Sequence, residues 1–400
     1  MIAMTADVVK NVLDKLGAEI VTPSCGSTIV GVLQGVEVVR DVETVQGIDV
    51  AQSPVNVKPL SSYIEFRLDS STQVDLTTCY SYLSINNMSI NKISISNMSI
   101  NNVQFIAGDG STAMTAPPTE SVLEPAIEVL NKVKHLPDSQ RPSLFWFEYD
   151  NCQNGMSSPG IHLSLNKFVR CGDPWLLNKA GTVATALQYI DILCGRENKR
   201  FLNTEHLNTE RLNIKALRAK AQFIFETIAT FGCVLHVSRL VRNDVETIKL
   251  HLVLRVEQVI DLLLQLAWRG SITSVTQLLT ELIDNGCIPQ RVFLDLSVTE
   301  QGLEPCLGIY VADKLFPAEQ KAIFYHAMQG YLLNVAELPN KVNRLFTAIS
   351  IPSESAKVWC DFKFFIDHEA HVSHKAYLGI KGDSAHPLAA IRSALLSSLN

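Results

Sequence analysis

Apolar and polar positions alternate in short segments along this chain, and the segments come in pairs. Residues 291–298 (RVFLDLSV) alternate, and 307–313 (LGIYVAD) alternate again after TEQGLEPC, which predicts a strand, a turn and a second strand. A helical pattern follows in LFPAEQKAIFYHAMQGYLL, with Pro317 near its start. The same order closes the chain: a strand at 356–367, a return strand within EAHVSHKAYLGIK, and a helix in HPLAAIRSALLSSL.

The order also recurs upstream. Residues 233–240 and 246–254 predict a hairpin around Arg242-Asn243-Asp244, with helices at 256–268 and 273–285 after it. Residues 143–150 and 160–166 form another pair, followed by helices near 174–194 and 208–231. Residues 61–69 and 74–83 form the earliest pair, and a helix at 119–134 separates it from the next. The first seventeen residues read as an amphipathic helix with Thr5 as its N-cap.

This gives five units of helix, strand, strand and helix, alike in order but not in sequence or spacing, so a regular solenoid does not fit. Hairpins joined by helices predict an antiparallel sheet. A sheet of about ten strands with helices on one face either stays open or closes on itself, and closing makes a lumen wider than side chains alone fill. The expected fold is α+β: a closed antiparallel β-barrel of about ten strands built from αββα repeats, helices outside. Residues 1–400 are expected to form one barrel domain. Residues 84–105 interrupt it with a five-residue period in which Ile85, Ile90, Ile95 and Ile100 are in register. This reads as a tolerated low-complexity surface insertion, or as a short β-solenoid that binds a partner.

Alternation sorts each strand into two faces. The apolar sets, such as Ile161/Leu163/Leu165 and Ile248/Leu250/Leu252/Leu254, should pack on the helices. The opposite sets then face inward. On return strands these are His162 and Ser164, Lys249 and His251, Gly308 and Tyr310, and Lys375, Tyr377 and Lys381. First strands add Tyr63, Glu65 and Arg67, then Trp146 and Glu148, then His236 and Ser238, then Phe293 and Asp295, then Trp359, Asp361 and Lys363. The same alternation also marks a sheet with one wet face and no function.

Composition narrows the classes. With 47% hydrophobic and 18% charged residues the chain is no disordered segment. A net charge of -6 gives no bulk signal for nucleic acid. No apolar run reaches membrane length; the best, Val256–Trp268, is broken by Glu257, Asp261 and Gln265. The start of the chain does not read as a signal peptide. Nine cysteines without a C-x-x-C pair suit reduced thiols and a cytoplasmic location.

The inward set suits one chemistry. Lysine and arginine can hold a diphosphate. Aromatic faces can surround a carbocation. A carboxylate can take a proton from an aromatic acceptor, and barrel walls keep water away.

Here the chain resembles the aromatic prenyltransferase barrel, the ABBA fold of dimethylallyltryptophan synthase-like enzymes and their bacterial and cyanobactin relatives. The likeness spans roughly residues 60–400 and lies in the repeat pattern and the Lys-x-Tyr-like pairs on return strands. It implies transfer of an allylic group from a diphosphate to an aromatic small molecule or peptide side chain, in natural product biosynthesis. It implies that Arg67, Lys249 and Lys375 hold the diphosphate and that Tyr310 and Tyr377 shield the cation. Glu65 would orient or deprotonate the acceptor, with Glu148 the second candidate carboxylate. His251 and Trp359 complete the candidate substrate-binding set. No cofactor is implied; magnesium is compatible but not required. The expected partners are the allylic diphosphate and its acceptor, with no nucleic acid and no membrane. The sequence departs from the family where His162 and Ser164 replace a basic residue and a tyrosine, and where His251 replaces a tyrosine. A non-catalytic barrel that binds a peptide or metabolite for a biosynthetic pathway is the alternative, and an unrelated α+β scaffold with an open sheet is a third.

Other constellations carry less. His368, His371 and His374 beside Asp367 and Glu369 offer metal-ligand types but sit where a hairpin tip is expected. AGDGST (107–112) reads as a turn. Cys233 and His236, three apart on a strand, are expected to face opposite sides.

Overall fold

The computed structural model describes residues 12–17, 20, 36–38, 43–45, 48–50, 55–57, 61–69, 73–81, 124–137, 140–142, 144–149, 160–165, 179–194, 214–242, 245–299, 301–350 and 356–382. The insertion at 84–105, AGDGST and the closing helix expected after residue 385 lie outside these residues. Of the expected N-terminal helix, residues 12–16 are described, and they are helical.

Ten strands form the barrel: β1 Ser61–Arg67, β2 Val74–Ser81, β3 Leu144–Tyr149, β4 Gly160–Ser164, β5 Gly232–Arg242, β6 Val245–Arg255, β7 Arg291–Thr299, β8 Gly302–Val311, β9 Ala356–Ile366 and β10 Val372–Gly382. Each pairs antiparallel with its neighbours in chain order, and β10 pairs with β1 through Lys375 opposite Arg67 and Tyr377 opposite Glu65. The sheet is therefore a closed barrel. Two further two-stranded pairs, Val36–Val38 with Val55–Val57 and Glu43–Val45 with Ile48–Val50, lie apart from it.

The apolar half of the alternation packs outward under the helices. Ile64, Leu163, Ile248, Leu250, Leu294, Ile309, Leu378 and Ile380 are fully buried. Burial of each such side chain stabilises by roughly 1.5–3 kcal/mol. The helices supply the matching stripes. α1 is Glu124–Lys134, α2 Lys179–Cys194, α3 Ile214–Phe231, α4 Val259–Gln265, α5 Ile272–Asp284, α6 Lys321–Val335 and α7 Pro339–Ile349. Leu217, Ala221, Ile224, Phe225 and Ile228 of α3 are buried at helical spacing. α5 buries Val275, Leu278, Leu279 and Leu282, and Ser271 caps its start by accepting from the Ser274 N–H at 3.2 Å. α7 was not expected as a separate helix. Pro339 occupies its first turn, and its buried Lys341 donates to the carbonyls of Asp69 at 2.8 Å and Arg67 at 3.4 Å, tying it to the end of β1. Among the described residues no helix is long and apolar enough to cross a membrane.

Two irregularities correct the strand boundaries. TEQGLEPC was expected as a turn, but β8 starts at Gly302 and bulges between its pairings Leu303–Val298 and Leu307–Leu296. Pro305 lies in the bulge, having no N–H for a ladder bond. The Glu304 carbonyl there accepts the Trp268 indole N–H at 2.8 Å. Gly302, at φ 118°, makes the tight turn. The second bulge is at Leu235: His251 faces His236, but Leu252 faces Val234. The extra residue resets the alternation, so Cys233 packs with Leu235, Val253, Phe293 and Ala312 inside one end of the barrel. Cys233 and His236 thus share the inner side, contrary to the expectation from spacing.

Candidate functional site

The inner wall encloses a cavity of about 490 Å³. Glu65, Arg67, Glu148, Lys249, His251, Tyr310, Lys375 and Tyr377 all line it. Trp359 stands on the same inner face, edge-on to Tyr63 with ring centroids 5.4 Å apart, but does not line the cavity. Lys314, Lys363, Asp295 and Glu304 line it too. Lys363 and Asp295 were legible as inward positions. Lys314 was not, because it lies in a turn at 313–315 just beyond β8, where alternation ends.

Three cations stand abreast. Lys363 of β9 is directly opposite Lys375 of β10, which is directly opposite Arg67 of β1. Like charges so placed repel. Carboxylates offset this: Lys375 donates to Glu65, and Lys363 donates to Asp295. Lys363 reaches Asp295 across β8 at Gly308, where a methyl group would fall 3.1 Å from the Asp295 Cβ and against the lysine chain. Burial pushes Glu65 upward, but Lys375 and Lys363 more than offset it and hold its pKa below the usual carboxylate range. Burial likewise opposes ionisation of Asp295, and His251 with Lys363 overcomes it, leaving the pKa well below normal.

Aromatic rings continue the wall. Tyr310 and Tyr377 meet edge to face at 5.2 Å, Phe293 lies 5.8 Å from Tyr310, and Tyr63 lies 5.7 Å from Trp146. Burial, then neighbouring carboxylates, raise the pKa of Tyr63, Tyr310 and Tyr377 well above normal, so all three are neutral phenols at pH 7. Tyr310 donates to Asp361 at 2.8 Å, and the Asp313 N–H donates to the same carboxylate at 2.7 Å. Burial nonetheless pushes Asp361 up to about 6. Lys314 lies 4.7 Å from the Phe293 ring centre.

Opposite the cation row runs a chain of hydrogen bonds. The Glu148 carboxylate contacts His162 Nε2 at 2.9 Å, and His162 Nδ1 contacts Ser238 Oγ at 2.6 Å. Ser238 Oγ contacts His251 Nε2 at 3.0 Å, and His251 Nδ1 contacts Asp295 at 2.6 Å. Burial lowers the His251 pKa, and Asp295 acts against that. His236, facing His251 at 5.9 Å, is held neutral by burial and by His251. His368 and His371 are exposed near the β9–β10 turn. Among the described residues no cluster of His, Cys, Asp and Glu could hold a metal ion.

No protein-family model matches the sequence. No curated protein matches it. Among solved structures, the chain is similar to the crystal structure of AnaPT from Neosartorya fischeri, with 12% identity over 93% of this chain and 91% of that one, at a TM-score of 0.46.

Proposed function

We propose that this chain transfers an allylic group from a diphosphate donor to an electron-rich aromatic or peptide acceptor inside the barrel. The observation that carries the reading is the cation row Arg67–Lys375–Lys363 beside Tyr310 and Tyr377 on the cavity wall of a closed barrel. Breaking the allylic C–O bond leaves negative charge on the diphosphate and positive charge on the allyl fragment. The row would stabilise the first and the ring faces the second. Each lysine ammonium has three donors, so it can keep its carboxylate and still donate to a bound anion. Glu65, already bonded to Lys375, would position the row, while Glu148 is the carboxylate better suited to take the acceptor's proton.

A second reading rests on the near balance of charge in the lining, where Glu65, Glu148, Asp295 and Glu304 offset the five cations Arg67, Lys249, Lys314, Lys363 and Lys375. Such a wall suits a barrel that binds a zwitterionic peptide or metabolite without chemistry. Incubation with dimethylallyl or geranyl diphosphate and tryptophan, tyrosine or small phenols, with and without magnesium, separates the two. Diphosphate release with a prenylated product supports transfer; none with any acceptor supports the binder. Lys375→Ala should weaken inorganic diphosphate binding by roughly 10–100-fold, the worth of one charged hydrogen bond. Unchanged affinity in both Lys375→Ala and Arg67→Ala would overturn the assigned seat.

A further inference from the structure

The chain Glu148–His162–Ser238–His251–Asp295 has more contacts than its two neutral imidazoles and one hydroxyl have protons. It contains four contacts of hydrogen-bond length, 2.9, 2.6, 3.0 and 2.6 Å, and both ends are carboxylates. Each contact needs one proton. Two neutral imidazoles and one hydroxyl supply three. With both carboxylates ionised and both histidines neutral, one contact would set two lone pairs against each other; the alternative fourth proton, on the Glu148 carboxyl, leaves both rings neutral and is the outcome that spectra of the rings would reveal. His251 and then Lys363 keep Asp295 ionised against its burial, and the geometry sets that carboxylate 2.6 Å from His251 Nδ1, against the burial that lowers the pKa of the ring.

We propose that these five residues form a proton wire that holds one extra proton, shared between His162 and His251 through the Ser238 hydroxyl. Its two forms differ only in direction. In one, His162 is the imidazolium: its Nδ1–H donates to Ser238, Ser238 donates to His251 Nε2, and His251 Nδ1–H donates to Asp295. In the other, the Nδ1–H bond of His162 has broken, Ser238 has taken that proton and passed its own to His251 Nε2, and the imidazolium lies beside Asp295. No atom or electron is gained or lost. The groups facing the rings are few. His251 meets His162, His236, Lys249 and Asp295, and His162 meets Glu148, Ser238 and His251.

The wire gives Glu148 its role, and that part rests on the prenyl-transfer reading. When Glu148 takes the acceptor's proton, an acceptor C–H or N–H bond breaks and a carboxyl O–H bond forms. Glu148 then no longer holds a cation, and the shared proton moves to His251 beside the still-charged Asp295. The positive charge thereby leaves the reacting end without crossing the cavity.

The test begins with the free full-length protein labelled with 15N-histidine. Two-bond 1H–15N spectra at pH 7, assigned with His162→Gln and His251→Gln, report the protonation of each ring. The expected result is one imidazolium's worth of charge distributed over these two rings. Two neutral rings of fixed tautomer would overturn the wire whether or not the protein is an enzyme. In Ser238→Ala the charge should sit on a single ring; continued sharing overturns the relay through the hydroxyl. In a prenylation assay Ser238→Ala should slow transfer at least about tenfold, with inorganic diphosphate affinity unchanged. An unchanged transfer rate overturns the part given to the wire in the Glu148 step. Absence of turnover in the unsubstituted protein overturns the prenyl-transfer reading alone, because the ring spectra decide the wire separately.

Discussion

Removing the ammonium that crosses Gly308 should expose how much the barrel depends on its inner ion pairs. Lys363 and Asp295 are 6% and 9% exposed, so Lys363→Met leaves a carboxylate in a nearly closed space. Breaking a fully buried pair by removing one partner costs about 3–5 kcal/mol. Asp295 keeps His251 at 2.6 Å, which retains part of its stabilisation. The loss should therefore be nearer 2–3 kcal/mol, the upper range for one charge-assisted bond. Asp295→Asn should cost a similar amount. The double variant should cost less than the two losses added, by at least about 1 kcal/mol. Urea denaturation at pH 7 measures all four proteins. The pH choice follows from the sign of the Asp295 shift. A depressed pKa contributes stability in full above the unfolded value, near ~3.9, and loses it as pH falls through the folded one, so pH 7 reads the whole contribution. Losses that add within about 0.5 kcal/mol would refute the coupling.

Three other outcomes follow from the same geometry. Gly379 lies under the Trp359 ring, so Gly379→Ala should displace that ring from Tyr63 and cost roughly 1–3 kcal/mol, seen as a changed tryptophan near-UV circular dichroism band and a lower urea midpoint. Asp361, with its pKa raised to about 6, contributes stability that is present below its unfolded pKa and lost as pH rises through 6. Between pH 4 and pH 7 the unsubstituted protein should thus lose roughly 2–3 kcal/mol relative to Asp361→Asn in paired urea titrations, and parallel curves would contradict the shift. Ser271→Ala should cost about 1 kcal/mol by uncapping α5, and a melting temperature unchanged within error would show the cap to be idle.

The closed barrel was legible because a two-residue period leaves its mark in sequence. His162, Ser238, His251 and Asp295 were all assigned to the inner side on that basis alone. What alternation cannot carry is a break in its own count. The Leu235 bulge reverses the faces of the residues before it, which is why Cys233 was assigned outward. The extension of β8 to Gly302 was hidden by Gly and Pro, which read as a turn. Lys314 was missed because a residue in a turn has no face to inherit. Partnership was also beyond reach: Lys375 and Glu65 are 310 positions apart, and only closure of the sheet brings them together.

That closure has a consequence during synthesis. The first barrel strand leaves the ribosome with one edge unsatisfied, and the strand that will cover it is translated some 310 residues later. At about 5–20 residues per second the wait is roughly 15–60 s. Through that interval the nascent chain exposes a sticky backbone edge, a standing invitation to aggregation that a chaperone would have to shield until the last hairpin arrives.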